Sequence, residues 1–223
     1  MRHLRLFLIL MLIWASNHCT HLHAYEQIEY IARTGRSTSM ITWEMDGGLD
    51  IVIRVRQGKE SFVNYCDRSG ATHRWTYRST DTDIHVERQK NVLRMTGTHA
   101  GKDLKRDFRL DDAPWFQPLS YSLSEFLSSD QSMVVFWIVR SDNMKAVKLK
   151  AEKERIENIR IGDDLIETQQ IRVSPVGFYS WVWSGFYWYR VSDNLFVRYR
   201  GGSGIPGKPE TIIELRASGI WKD

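Results

Sequence analysis

The densest run of side chains with a chemical use is Phe178-Tyr179-Ser180-Trp181-Val182-Trp183-Ser184-Gly185-Phe186-Tyr187-Trp188-Tyr189, eight aromatics in twelve residues. Gly185 sits near its middle, so the run reads as two strands meeting at a tight turn. In the first strand Tyr179, Trp181 and Trp183 share one face, and Phe178 and Val182 take the other. Both faces are apolar, and two readings follow. The hairpin is core, where each buried ring hides about 150–250 Å² and finds a partner for its polar tip. Alternatively, one face lines a cavity for an apolar or ring-shaped ligand. In that second reading Trp181, Trp183, Trp188, Tyr189 and Tyr199 contact the ligand, and Arg198 and Arg200 meet an anionic headgroup. Lipid chains and sugar rings both offer nonpolar C–H surface to a ring face, so the aromatics alone do not choose between them.

Other residues with reactive side chains do not assemble into a catalytic pattern. Beyond residue 24 the histidines are His73, His85 and His99, at separations of 12 and 14 residues that match no metal-ligand spacing, and they read as solvated surface groups. The doublets Asp111-Asp112 and Asp163-Asp164 invite a glycosidase reading, which needs two acids across a cleft, roughly 5–10 Å apart. Neighbours on a strand point to opposite faces, so neither doublet supplies that geometry, and both read as turn residues. Cys66 lies in Phe62-Val63-Asn64-Tyr65-Cys66 without a recognisable basic partner and reads as a small core residue. The glycine-rich stretch Gly201 to Pro209 lacks the Gly-Lys-Ser/Thr that opens a helix in a phosphate loop, since Pro209 follows Lys208. No nucleophile elbow or zinc-binding helix motif is present. The chain carries no evident catalytic set, metal or cofactor signature. The expectation is a noncatalytic binding domain, with a carbohydrate-binding or carbohydrate-active protein as the alternative.

The first 24 residues read as an address. Arg2 and Arg5 precede an unbroken apolar run from Leu6 to Ala15, and a polar stretch leads to Ala24, the layout of a bacterial secretory signal. Ten apolar residues are about half of the roughly 20 a spanning helix needs. Cleavage after Ala24 is expected, giving a periplasmic or secreted product without a transmembrane anchor. Loss of Arg2 and Arg5 leaves 29 basic against 27 acidic residues, a formal charge of +2. A nucleic-acid binder displays a basic stripe or cluster, whereas here the two signs are interleaved, so nucleic acid is not an expected partner. Cys66 is then the last thiol, and no internal disulfide can form.

The elements that position these side chains are mainly strands. Leu49, Ile51, Ile53 and Val55 alternate with Asp50, Arg54 and Arg56. The same period recurs at Ile84 and Val86, at Leu104, Phe108 and Leu110, and at Val147, Leu149 and Ala151. Asp46-Gly47-Gly48, Gln57-Gly58-Lys59, Ser69-Gly70 and Ala100-Gly101-Lys102 suit tight reversals, and Asn158 to Ile161 runs into a turn at Gly162-Asp163-Asp164. Pro114 and Pro118 end this meander. Ser122-Leu123-Ser124-Glu125 reads as a capping box, which predicts one short helix over Ser122 to Ser128. Met133 to Val139 is seven apolar residues in a row, the pattern of a strand covered on both faces, and is expected at the centre of the sheet. No linker or repeat divides residues 25–223. The fold class is all-β: a strongly curved antiparallel sheet or partly closed β-barrel with one short helix.

Tyr187-Trp188-Tyr189, Phe196-Val197-Arg198-Tyr199 and the Gly201-to-Pro209 loop leading into Thr211-Ile212-Ile213-Glu214-Leu215 carry a family likeness. With Trp115, the Ser122-Leu123 region and Val147 to Glu157, the chain from about Pro114 to Arg216 resembles exported bacterial proteins of the domain-of-unknown-function 3108 type. The resemblance implies an all-β exported domain without an established activity. The ligand class expected for this chain is an apolar or amphipathic envelope molecule, a lipid or lipid-linked glycan. A structural role against an envelope protein through an exposed strand edge is the plainer expectation.

Overall fold

Alternation of apolar and polar side chains organises the chain into strands almost throughout. The computed structural model describes residues 26–48, 50–177, 183–202 and 209–220, so the expected leader lies outside the described residues. Eight strands come first: β1 (Glu26–Thr34), β2 (Ser37–Gly47), β3 (Ile51–Gln57), β4 (Glu60–Cys66), β5 (Thr72–Arg78), β6 (Asp83–Gln89), β7 (Val92–His99) and β8 (Lys102–Arg109). Two helical turns follow, α1 (Leu119–Ser122) and α2 (Ser124–Ser128). Six strands complete the chain: β9 (Met133–Arg140), β10 (Lys145–Ile161), β11 (Asp164–Pro175), β12 (Gly185–Arg190), β13 (Phe196–Gly201) and β14 (Thr211–Ile220). Gly58 and Gly101 take left-handed backbone at two of the reversals, which glycine adopts without steric cost.

All fourteen strands form one antiparallel sheet in the order β8-β7-β6-β5-β4-β3-β2-β1-β14-β13-β12-β11-β10-β9. Each pairing joins neighbours in sequence except β1 with β14, which runs from Thr34↔Thr211 to Glu26↔Ile220 with a bulge at Glu29/Tyr30. Two meanders are thereby stitched into one sheet. In β6, Ile84 and Val86 are buried and Asp83, His85 and Glu87 exposed, so one face carries the core. That face is concave, and its largest cluster draws Tyr30, Ile41, Ile53, Phe136, Ile171, Tyr189 and Phe196 from both meanders. A second cluster sets Trp75, Ile84, Leu93 and Met95 of β5–β7 against Val139 and Met144 at the β9–β10 corner. The two ends of the sheet have curled around to meet.

Where they meet, the connection between the meanders lies in the seam. The Trp137 N–H donates to the Pro114 carbonyl (2.8 Å) and the Phe116 N–H to the Trp137 carbonyl (2.9 Å), while the Thr72 N–H donates to the Trp115 carbonyl (2.7 Å). The Asp111 carboxylate accepts from the Trp137 indole (2.8 Å) and from Lys148. This corrects one expectation: β9 is the last strand in the sheet order, not a central one. Its apolar run is divided between the two clusters, Phe136 in the first and Val139 in the second, with the crossing connection at its edge.

The short helix is expected at the right place, but the capping box does not form. The chain makes two turns, α1 and α2, with Leu123 between them, and neither N-cap position makes a side-chain cap bond. The Ser122 hydroxyl is buried without a partner among the described residues. Tertiary contacts hold these turns instead. The Tyr189 hydroxyl donates to the Leu119 carbonyl (2.8 Å), and Lys153 reaches the carbonyls of Leu127 and Ser129 at the end of α2.

A second correction concerns Gly185, which is not a turn residue. It opens β12 and pairs with Val173 of β11 and Gly201 of β13. Residues 178–182, where the first arm of the expected hairpin falls, lie outside the described residues.

On the convex face the β10–β11 hairpin bends back over the sheet. β11 pairs with β12 only from Thr168 onward, and a bulge between Lys153 and Ile156 redirects β10. The tip residues Ile159, Ile161 and Ile166 then bury Trp188, Val197 and Leu215 in a third, outer cluster.

Candidate functional site

Strand alternation sends every second side chain of β2, β3, β4 and β5 into the concavity. There they face residues from β12, β13 and β14 across a gap that the core does not fill. The gap is a cavity of about 270 Å³. One wall is Ile41, Trp43, Val55, Phe62 and Trp75; the other is Tyr187, Phe196, Tyr199 and Ile213, with Ile138 from β9 and residues 117–120 of the connection closing one end. A second hollow of about 260 Å³ shares Trp43, Ser120 and Phe196 and continues past Tyr30, Met45 and Leu195. Each is slightly below the roughly 300–1,000 Å³ of small-molecule sites, and the two together fall inside that range.

Rings build the wall through contacts with one another. Tyr187 and Tyr199 pack at 4.8 Å between centroids, Tyr30 meets Phe196 at 5.3 Å and Trp43 at 6.0 Å, and Phe62 stacks with Trp75 at 6.3 Å. Gly185 and Gly201 give the Tyr199 ring its place. A Cβ on Gly201 would stand 2.3 Å from the Tyr199 hydroxyl and one on Gly185 2.9 Å from its ring, so both positions require glycine for close approach. Burial pushes the Tyr199 phenol up to about 12 and the Tyr187 phenol well above its usual 10.0, so both stay neutral. The lining of the first hollow includes no Lys, Arg, His, Asp or Glu among the described residues, and the second adds Asp193, which is paired with Arg190. The surface of the first is apolar and uncharged, which suits a hydrocarbon chain or an uncharged ring.

The residues singled out from the sequence separate in space. Tyr199 lines the cavity. Tyr189 lies behind it, fully buried, with its hydroxyl on the Leu119 carbonyl. Trp183 packs against the same core and donates its indole N–H to the Gly202 carbonyl. Trp188 points the other way, into the outer cluster, and donates to the Glu157 carboxylate at 2.8 Å. Arg198 shares that outer face, paired with Glu214 (2.7 Å) and donating to the Arg160 carbonyl (2.6 Å), and Arg200 pairs with Glu210 (3.2 Å). Trp181 lies outside the described residues. The wall residues Trp43, Phe62 and Trp75 come from the first meander, where the sequence shows only isolated aromatics at alternate positions. Their inward direction could have been read from that period, but their meeting with β12–β14 could not.

The reactive side chains have structural surroundings. Cys66 is buried, burial raises its thiol to about 11, and it lies 3.6 Å from the Thr72 hydroxyl. Asp111, bound by Lys148 and Trp137, has its carboxyl lowered to about 2. His73 pairs with Asp50 and His85 with Asp83, each at 3.3 Å on the exposed face. Among the described residues no three His, Cys, Asp or Glu side chains converge as metal ligands, and no helix is long and apolar enough to cross a membrane.

Fold and cavity together define a β-barrel-like protein: a curled antiparallel sheet, not closed by hydrogen bonding between its end strands, with an apolar hollow on the inner face. A solved structure of this description is similar to it, the β-barrel-like protein of domain of unknown function DUF1849 from Brucella abortus. It aligns at a TM-score of 0.60 and 9% identity over 90% of this chain and 99% of that one. A putative lipoprotein from Parabacteroides distasonis (TM-score 0.36, 11% identity, 87% and 95% covered) also aligns. So does a LolA superfamily protein from Nitrosomonas europaea (TM-score 0.22, 8% identity, 90% and 88% covered). Likeness this loose bears no functional argument. No family model and no curated protein sequence matches the chain, so membership of the domain-of-unknown-function 3108 family is not shown.

Proposed function

We propose that this protein is an exported envelope protein that binds an apolar or amphipathic molecule, a lipid chain, in the hollow of its curled sheet. The observation that carries the reading is the charge-free aromatic cavity at the place where the two meanders face each other. Burying apolar ligand surface there is worth roughly 25 cal/mol per Å² before the costs of association. A sugar needs several polar partners, and both glutamine side chains in the lining are already engaged within the protein: Gln57 with Ser39, and Gln117 with Val139. An acyl chain therefore suits the wall better than a glycan. The amino-terminal Arg2-to-Ala24 pattern supports an envelope location.

Native mass spectrometry of the protein purified gently from the periplasm tests this. A co-purifying adduct is expected, together with uptake of a fluorescent long-chain alcohol, and both should vanish when Ile213→Trp fills the cavity. A bare mass combined with no uptake of the alcohol refutes the reading.

A further inference from the structure

Asn64 is the anomaly in the cavity wall. It sits on β4 between Phe62 and Cys66 on the inner face and is only 3% exposed. A carboxamide at such a position has two ends to satisfy. Its Nδ2 donates to the carbonyl of Ile53, its register partner on β3, at 3.5 Å. A carbonyl can only accept, so the amino end must face Ile53 and the oxygen is the end left over. That oxygen, Oδ1, is buried and has no partner among the described residues. An unpaired buried acceptor destabilises the fold, and an apolar residue of similar size would avoid that cost.

Resting on the cavity reading above, we infer that Asn64 Oδ1 is the polar recognition point of the site and that the ligand is a neutral amphiphile carrying a hydrogen-bond donor, a hydroxyl or an amide N–H. The donor requirement follows from the free atom being an acceptor. Neutrality follows from the lining: with no cation in the wall, a carboxylate or phosphate would enter without compensation and would also face the Asn64 oxygen, at a cost that ionised groups rarely recover in an apolar site. The terminal torsion of an asparagine is soft, so a small turn of the carboxamide brings Oδ1 onto a donor in the hollow. Arg198 and Arg200 are held in ion pairs on other partners and do not provide the missing cation.

The test titrates the protein with decanol, decyl methyl ether and decanoate, reading the change in tryptophan fluorescence, to which Trp43 and Trp75 in the wall contribute. Decanol is expected to bind about tenfold more tightly than the ether, a difference of about 1.4 kcal/mol, and decanoate more weakly than either. In Asn64→Leu the alcohol and the ether should bind alike, with ether affinity retained. The wild-type series stands by itself should that variant fold poorly. Equal affinity for alcohol and ether in the wild-type protein, or a preference that survives in Asn64→Leu, overturns the inference and leaves the cavity reading intact. Failure of all three compounds to bind overturns the cavity reading itself.

Discussion

Gln117 pairs with Val139 through both ends of its carboxamide: Oε1 accepts from the Val139 N–H at 2.9 Å and Nε2 donates to the Val139 carbonyl at 2.8 Å. A side chain thus takes the place of a neighbouring strand at the edge of β9. The same Oε1 accepts the Trp115 indole N–H, and the Gln117 backbone N–H donates to the Thr72 hydroxyl, so one residue joins both sides of the seam.

Gln117→Leu should therefore be costly. It leaves the two Val139 backbone groups and the Trp115 indole without partners, at about 1–3 kcal/mol for each group that stays dry. Urea denaturation should show a lower midpoint, and amide exchange should accelerate first in β9. An unchanged midpoint would mean that the seam does not hold the curl.

Gly201→Ala should destabilise by roughly 1–3 kcal/mol, the usual range for overpacking, because the new methyl meets the Tyr199 hydroxyl 2.3 Å away. In a Tyr199→Ala background the same change should cost much less. A double-mutant cycle by thermal unfolding measures the coupling, and additive effects would contradict the stacking of Tyr199 over the two glycines.

Trp188 and the cavity should behave independently. Trp188→Phe keeps most of the packing against Ile159, Ile161 and Val197 but loses the bond to Glu157, whose carboxyl is held below its usual 4.5 first by that indole. The Glu157 carboxyl should move upward in an NMR titration while ligand uptake stays at the wild-type level. Ile213→Trp should do the reverse. Loss of uptake in Trp188→Phe would place the ligand elsewhere.

Alkaline pH should unfold the protein by a defined route. Burial raises Cys66 from 9.0 to about 11, and Tyr121 and Tyr199 from 10.0 to about 12. The native state holds these protons more tightly than the unfolded chain. Stability is therefore undiminished below about pH 9 and falls as pH rises from there towards about 12. Circular dichroism melts across this window should show a falling midpoint, with the earliest part of the fall absent in Cys66→Ala. A midpoint constant to pH 12 contradicts the burial of these groups.

Local chemistry made much of the architecture legible from the chain alone. Period-two alternation at Ile53/Val55, Ile84/Val86 and Val147/Leu149/Ala151, with glycine at the reversals, determined strands, antiparallel neighbours and the all-β class, because these depend on contacts a few residues apart. β1 is less legible, since Ile28 and Tyr30 flank Glu29 but the apolar Ile31 before Ala32 blurs the period. The place of β9 and the role of Gly185 differ from expectation for a related reason. An apolar run reports that a segment is covered, not what covers it, and a glycine reports room for backbone, not whether a turn or a neighbouring ring uses that room.

The site was the part that only the tertiary structure could decide. The aromatic run around Tyr187 drew attention to the right strands, yet alternation divides it between two surfaces: Tyr187 and Tyr189 go inward, Phe186 and Trp188 outward under the curled hairpin. Which surface holds a cavity depends on how far the sheet bends before its ends meet, a sum of small twists and bulges over all fourteen strands. Trp43, Phe62 and Trp75 face Tyr199 and Ile213 only because β1 pairs with β14 and the seam closes at Gln117. Those contacts span more than a hundred residues, a distance over which no local pattern carries information.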